Sequence, residues 1–342
     1  AGWGEAARAW RLPAGPSGPV ATGGFMKGSP RALACGLVYL LVFNTQLFGW
    51  GAVGHMAVAY IAYNRLTPTT KSGARARPNK NPDYNQWGGQ VPAGTAPNFK
   101  YMMIFMIAST WPYQIKSEAG YTDDGPDPHG NRPDGASSSL NVGYSDHLHH
   151  KYWHFVDTPF SNDGTALPAI PSPNAGTRIA TFRAVLGTTL AGDVKSYDLV
   201  WLLHLVGDVH QPLHSSTRVS ASDPGGDNGG NNVKLCASPC RSELHGFWDQ
   251  LPGTGSDPNT AVSYAKQLPA ADATAGSDLD AADWIKESFD DAATFVYVAP
   301  IGAGDGPFTT TVAYRAAARK LAKERVALAG MRLANLLNDE LK

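Results

Sequence analysis

A mainly α-helical single domain is what this sequence predicts, and three observations predict it. Apolar residues recur at helical spacing in several long runs, whereas strand signals are few and short. From residue 50 to residue 342 the chain is 293 residues long, ample for one large core. No internal repeat is present, and the Gly- and Pro-rich stretches do not divide the sequence into independent cores.

The first 49 residues read differently from the rest. Residues 1–25 are rich in Gly, Ala and Pro and have no apolar periodicity. Met26 opens a new pattern, with Lys27 and Arg31, an apolar run from Ala32 to Phe43 and a short polar stretch to Gly49. That is the shape of a secretory signal peptide, and the run is too short for a membrane span. The expectation is that Met26 initiates, that 1–25 is upstream sequence, that 26–49 is a signal, and that a secreted protein begins at Trp50. The alternative, a buried N-terminal helix, finds little nearby to cover it.

Removing residues 1–49 leaves 24 basic and 28 acidic side chains, a net charge of −4. No basic stripe announces a nucleic-acid binder, so phosphate binding would have to rely on metal ions. Cys236 and Cys240 remain, and three intervening residues in an exported protein allow a local disulfide or, alternatively, metal ligation. No Asn-x-Ser/Thr sequon occurs, so N-glycosylation is not expected.

Taken in order, Trp50 to His55 leads into a helix over Met56–Leu66, which ends before Thr67-Pro68. Residues 69–99 read as a Gly-, Pro- and Asn-rich loop. Tyr101 to Ile107 is a strong apolar run leading to Trp111, Tyr113 and Lys116, and residues 117–146 read as a long surface insertion. Helices are expected at Thr177–Leu190, Lys195–Asp208, Asp283–Tyr297 and Tyr314–Leu341, and residues 225–232 form a Gly/Asn loop.

The chemistry centres on Trp201 to His214, WLLHLVGDVHQPLH. His204 and Asp208 are four apart, so on a helix they project from one side into apolar surroundings. There they are costly unless paired. A divalent metal would satisfy both, and so would a plain histidine–carboxylate hydrogen bond within the core. Pro212 cannot continue the helix, so the chain should turn and bring His214 back to the same place. Further motifs pair a histidine with an acid or an aromatic: His55, His154 with Asp157, and His245 with Asp249. Together they supply more ligands than one structural zinc needs, and paired cysteine knuckles are absent.

In order, Trp50 and His55, Trp153-His154-Phe155 with Asp157, His204-Asp208-His214, and His245-Asp249 resemble the zinc-dependent single-strand-specific nucleases. These are secreted type I nucleases with 3′-nucleotidase activity. The resemblance covers nearly all of 50–342 and includes Gly229-Gly230-Asn231, Trp284 with Glu287-Ser288, and the stretch 330–334. The zinc-dependent phospholipase C enzymes share the superfamily fold but typically end the last ligand pair in Glu where Asp249 stands.

The resemblance implies an all-α domain around a three-zinc cleft. One zinc would be held by His214, His245 and Asp249. A second would take His55, Asp208 and the α-amino and carbonyl groups of Trp50. The third would take His154 and His204, with Asp208 bridging. The same resemblance places Lys116 and Asn231 on phosphate, and Phe155 and Asp157 on an unpaired base. Its expected substrates are single-stranded DNA, RNA and 3′-nucleotides, cut to 5′-nucleotides by a monomer with no membrane association.

One position departs from the pattern. Where the resemblance places an aspartate, as a ligand of the His154/His204 zinc and a partner for the attacking water, Tyr113 stands. A neutral phenol is a poor ligand and a poor base. Asp123, Asp124, Asp127, Asp134 and Asp146 of the insertion are the candidates to lend a carboxylate, whereas His147, His149 and His150 are expected outside the ligand shell. Two alternatives to the nuclease follow: a phospholipase C-like phosphoester hydrolase, and a catalytically impaired zinc-binding homologue.

Overall fold

The computed structural model describes residues 49–124, 147–237 and 242–342, all within one compact unit. The expected upstream segment 1–25, the expected signal peptide apart from Gly49, residues 125–146 of the expected insertion and Cys240 lie outside the described residues.

Helix α1 (Ala52–Arg65) begins just after Trp50 and buries His55, Met56, Ala59 and Ala62. It stops where Leu66 turns extended, two residues before Pro68. The expected 69–99 loop is instead built of helices: α2 (Pro68–Ala76), a 3₁₀ turn (Pro78–Lys80) and α3 (Tyr84–Gly89), with α4 (Pro97–Ala108) beginning at its end. The reason is that Pro68 and Pro97 sit in the first turn, where a helix needs no N–H. Thr67 caps α2 by accepting the Thr70 N–H at 3.1 Å. Proline and polarity read as loop signals were helix starts.

A short α5 (Trp111–Gln114) and two 3₁₀ turns, Ile115–Ser117 and Lys151–His154, flank the centre. Then come α6 (Ala175–Leu186) and α7 (Gly192–Asp208), each beginning a few residues before the predicted start. From Ser196 to Asp208 every residue of α7 is buried. Trp201 lies at its middle, 4.8 Å from the Trp153 ring and 6.1 Å from that of Trp111. Such an all-round apolar helix belongs at the centre of a core.

Pro212–His214 forms a further 3₁₀ turn. Among the described residues two strands, β1 (Pro159–Ser161) and β2 (Thr217–Val219), pair in parallel and lace the segment after His154 to the segment after His214. The chain continues through α8 (Leu244–Asp249), α9 (Pro258–Ala265), α10 (Ala273–Ser277) and α11 (Ala281–Asp291), then a π-helical turn (Ala292–Val296) and α12 (Val312–Glu340). The fold is mainly α-helical, as expected, with α1 packed along α12, α9, α4 and α7. Among the described residues no helix is long and apolar enough to cross a membrane.

Candidate metal centre

Six short pieces of backbone converge at the C-terminal end of α7: the start of α1, the end of α4, the 3₁₀ turns at 151–154 and 212–214, the last turn of α7, and α8. Asp208, fully buried, is the hub. Its Oδ1 lies 3.3 Å from His55 Nε2 and 3.7 Å from His214 Nδ1. Its Oδ2 lies 3.1 Å from His154 Nδ1 and 3.2 Å from His204 Nε2. The His55 ring stacks on His204 at 3.8 Å. A second group, His214, His245 and Asp249, adjoins it, with the two Nε2 atoms 3.1 Å apart and His245 Nε2 3.4 Å from Asp249 Oδ2.

The hydrogen bonds behind these rings decide what they can hold. His204 Nδ1 donates to the Ser109 carbonyl, His214 Nδ1 to that of His154 and His245 Nδ1 to that of Gly229, each at 2.7 Å. In neutral imidazole a donating Nδ1 leaves Nε2 with only a lone pair. The lone pairs of His214 and His245 therefore face each other, an arrangement that a cation between them relieves. Both His55 nitrogens, His154 Nε2 and Asp208 Oδ1 are buried without a hydrogen bond. Each would cost free energy unless something else satisfies it. Carbonyl-oriented imidazoles with buried carboxylates match zinc ligation, and the groups His55/His204/Asp208 and His214/His245/Asp249 could each hold a metal.

Electrostatics agree with that donor chemistry. Burial opposes ionisation of Asp208, but His204, His214, His154 and His55 together hold its carboxyl well below the usual range. Burial keeps His204 neutral, and burial followed by the Lys116 charge pushes His154 down to about 3. Burial brings Lys116 to about 8 against the opposing pull of Asp208, Asp249 and Asp124. His154 and His204 are thus held as neutral imidazoles and Asp208 as a charged carboxylate, the protonation states that bind metal.

Backbone details make the approach possible. A Cβ on Gly207 would lie 2.7 Å from His55 Nδ1, so only glycine lets α1 seat that ring against α7. Gly229 has φ +57°, and a Cβ there would meet the Leu213 carbonyl at 2.7 Å. Gly207→Ala is expected to displace His55, which cannot retreat because His204 stacks on it. Metal content should fall by about one ion per chain while the helical circular dichroism is retained, and elemental analysis of the purified variant checks this.

The structure brings His55, His154, His204, Asp208, His214, His245 and Asp249 together. Trp50 is buried at the entry to α1, and the next residue's N–H bonds the Asp249 carbonyl at 2.8 Å. Phe155 and Asp157, both half-buried, follow His154 directly, and the Phe155 ring meets Tyr152 edge-on at 6.5 Å. Asn231, also half-buried, lies two residues beyond the carbonyl that orients His245 and donates to the Asn228 carbonyl at 2.6 Å. Tyr113 lines a cavity of about 470 Å³ together with Asp249, Thr110 and Gln114. Of the carboxylates considered to replace its missing acid, Asp124 accepts the His150 and Lys151 N–H groups at 2.9 and 2.6 Å. Asp123 pairs with Lys151 Nζ at 2.6 Å. Asp127, Asp134 and Asp146 lie outside the described residues. His150 is buried, stacked on Trp153 at 3.5 Å.

Sequence reasoning missed the supporting groups. Gln211, fully buried, donates to Asp249 Oδ1 at 2.6 Å and accepts the Leu213 N–H at 2.5 Å, tying Asp249 to the turn that carries His214. His210, beside it, faces away: Nδ1 donates to the Val206 carbonyl, and Nε2 lies 3.1 Å from Arg332, which forks onto Glu287. A polar pair interrupting an apolar run, His210-Gln211, was the available signal.

The S1/P1 nuclease family model matches residues 50–342. The chain belongs to the S1/P1 nuclease family. That match begins at Trp50 and takes in every converging side chain described above. "Endonuclease 2" of Arabidopsis thaliana is 22% identical over 216 residues, 62% of this chain. The chain spans 59% of the length of that curated relative.

Proposed function

We propose that this S1/P1 family protein is a secreted, zinc-dependent nuclease that hydrolyses phosphodiester bonds of single-stranded DNA and RNA, and the phosphoester of 3′-nucleotides. The observation that carries the reading is one buried carboxylate, Asp208, within 3.7 Å of four imidazoles and beside a second His/His/Asp group. His214, His245 and Asp249 would hold one zinc, His154, His204 and Asp208 another, and His55, Asp208 and the Trp50 terminus a third. Bound there, the ions would supply Lewis acidity towards phosphate and lower the pKa of the attacking water.

The chain's own groups divide the remaining work. Lys116 places an ammonium beside the carboxylates, where it would meet a phosphate oxygen, and the Asn231 amide would add a neutral donor. Phe155 would stack on a base and Asp157 would accept from its edge, contacts open only to an unpaired base.

Processing belongs to the same reading. Any side chain on Gly49 would collide with Asp208 Oδ1, so the residue before Trp50 sits against the metal-binding carboxylate. Cleavage before Trp50 would clear that space and turn an amide nitrogen into a free amine able to chelate. The exported protein is expected to start at Trp50, carry three zinc ions and release 5′-nucleotides from single-stranded DNA. His214→Ala should lower the zinc content by one. N-terminal sequencing, elemental analysis and turnover on one preparation test this. A different start with full loading overturns the processing step, and one ion or none overturns the three-zinc assignment.

A further inference from the structure

The chain's excess of acidic over basic residues hides one basic stretch. Between residues 65 and 101 stand six cations, Arg65, Lys71, Arg75, Arg77, Lys80 and Lys100, and a single acid, Asp83. Asp83 turns inward, accepting the Trp111 indole N–H at 2.5 Å. Among the described residues, none of the six cations forms an ion pair. The six are spread over the end of α1, α2, the 3₁₀ turn after it and α4, and of them Lys71 and Arg75, four apart on α2, meet Tyr101 of α4 at one cleft.

Two aromatic side chains accompany the charge. Phe99 and Tyr101 are 50% and 45% exposed, among the most exposed large apolar residues described. The Arg75 guanidinium lies over the Tyr101 ring at 5.5 Å, and its Nε donates to Tyr63 Oη at 2.9 Å, so the cation and the ring are held together. Lys71, Arg75 and Tyr101 line an open cleft of about 540 Å³ floored by Leu66 and Pro68. A lined cleft that combines unneutralised cations with an exposed ring is what a single-stranded polyanion with stackable bases requires.

Its position relative to the metal centre follows from the helices. Helix α1 runs from His55 to Arg65, ten residues or about 15 Å. Helix α4 runs back from the residue that holds His204, Ser109, to Phe99 and Tyr101, a similar span. Both helices therefore connect the metal centre to this face as rigid rods.

We propose that the Lys71/Arg75/Tyr101 cleft is a non-catalytic docking site for single-stranded polynucleotide, engaging nucleotides several positions from the bond being cut. It rests on the nucleic-acid reading above and adds a distal contact to it. The site takes part only when the substrate is long enough to reach it, so it distinguishes polymers from mononucleotides.

The test uses the zinc-loaded protein and a Lys71→Glu/Arg75→Glu variant, with Tyr101→Ser as a second variant that leaves the charge intact. KM on a 30-nucleotide single strand is expected to rise about tenfold in the charge variant, with kcat unchanged and 3′-mononucleotide hydrolysis unaffected. The slope of log affinity against log salt should become shallower by about 1.4, the value for two lost phosphate contacts on a single strand. Tyr101→Ser should weaken polymer binding about fivefold or more without changing that slope. Affinity for a phosphorothioate 30-mer, which does not depend on turnover, separates failure of this site from failure of the nuclease reading. Equal phosphorothioate affinity in wild type and both variants overturns the proposal. So does loss of binding to phosphatidylserine vesicles alone, which would make the face a lipid contact.

Discussion

Asp208→Asn is expected to lower nuclease turnover at least about 10³-fold, because the amide would remove the charge that two metal positions share in the proposed assignment. Lewis-acid stabilisation of a phosphoryl transition state is worth several kcal/mol, and each 1.36 kcal/mol is a factor of ten. The carboxylate is fully buried, with His55 and His214 on one oxygen and His154 and His204 on the other. An asparagine fits the same volume but offers a neutral oxygen and an NH₂ that points a donor at an imidazole lone pair. Zinc content should fall by up to two ions per chain, while the His214/His245/Asp249 group keeps its ion. Elemental analysis and turnover on single-stranded DNA, measured on the same sample, check this. A variant with three ions and wild-type rate removes Asp208 from the centre.

Tyr113→Asp is expected to act in the opposite direction. Burial, and then the nearby Asp249, push the Tyr113 phenol far above its ordinary range, so it stays neutral at any working pH. It can neither balance a cation's charge nor take a proton from water. The Lys116 ammonium lies 5.4 Å from the centre of its ring, so the position borders the site. In the proposed assignment, supplying a carboxylate there should tighten the metal that His154, His204 and Asp208 would hold. Turnover should rise by about 10²–10⁴-fold, the usual contribution of a positioned general acid–base group. The wild type should be unusually sensitive to mild chelation and recover with added zinc.

The competing account has Asp124 filling the vacancy. Both of its oxygens are spent on the His150 and Lys151 N–H groups, which makes it a prop for the turn that carries His154. Asp124→Asn is therefore expected to reduce rate modestly, through displacement of His154, and not to abolish it. Complete loss in that variant with no gain in Tyr113→Asp would make Asp124 the working carboxylate. A fully active wild type insensitive to both changes would mean that Tyr113 does not occupy the position assigned to it.

The sequence by itself determined the helical class and singled out the His and Asp side chains that converge at the end of α7. His204 and Asp208 share a helix face because of the 3.6-residue period, and Pro212 forces the turn that returns His214. Those are local rules, and local rules survive folding. The same rules failed at 69–99, where polar residues and prolines read as loop. There α2 gains its stability from the Thr67 cap, and α4, whose Met102 to Ala108 are buried, from packing against the rest of the fold, which composition does not record. Only the tertiary structure decided which side chains support the converging His and Asp residues. Gln211 reaches Asp249 across 38 residues, and the Ser109 carbonyl orients His204 across 95. Tertiary packing also gathered Lys71, Arg75 and Tyr101 into one cleft on a chain with a net negative charge from Trp50 onward. Orienting a ring or concentrating charge depends on distances between segments far apart in sequence, and those distances exist only once the core has closed around α7.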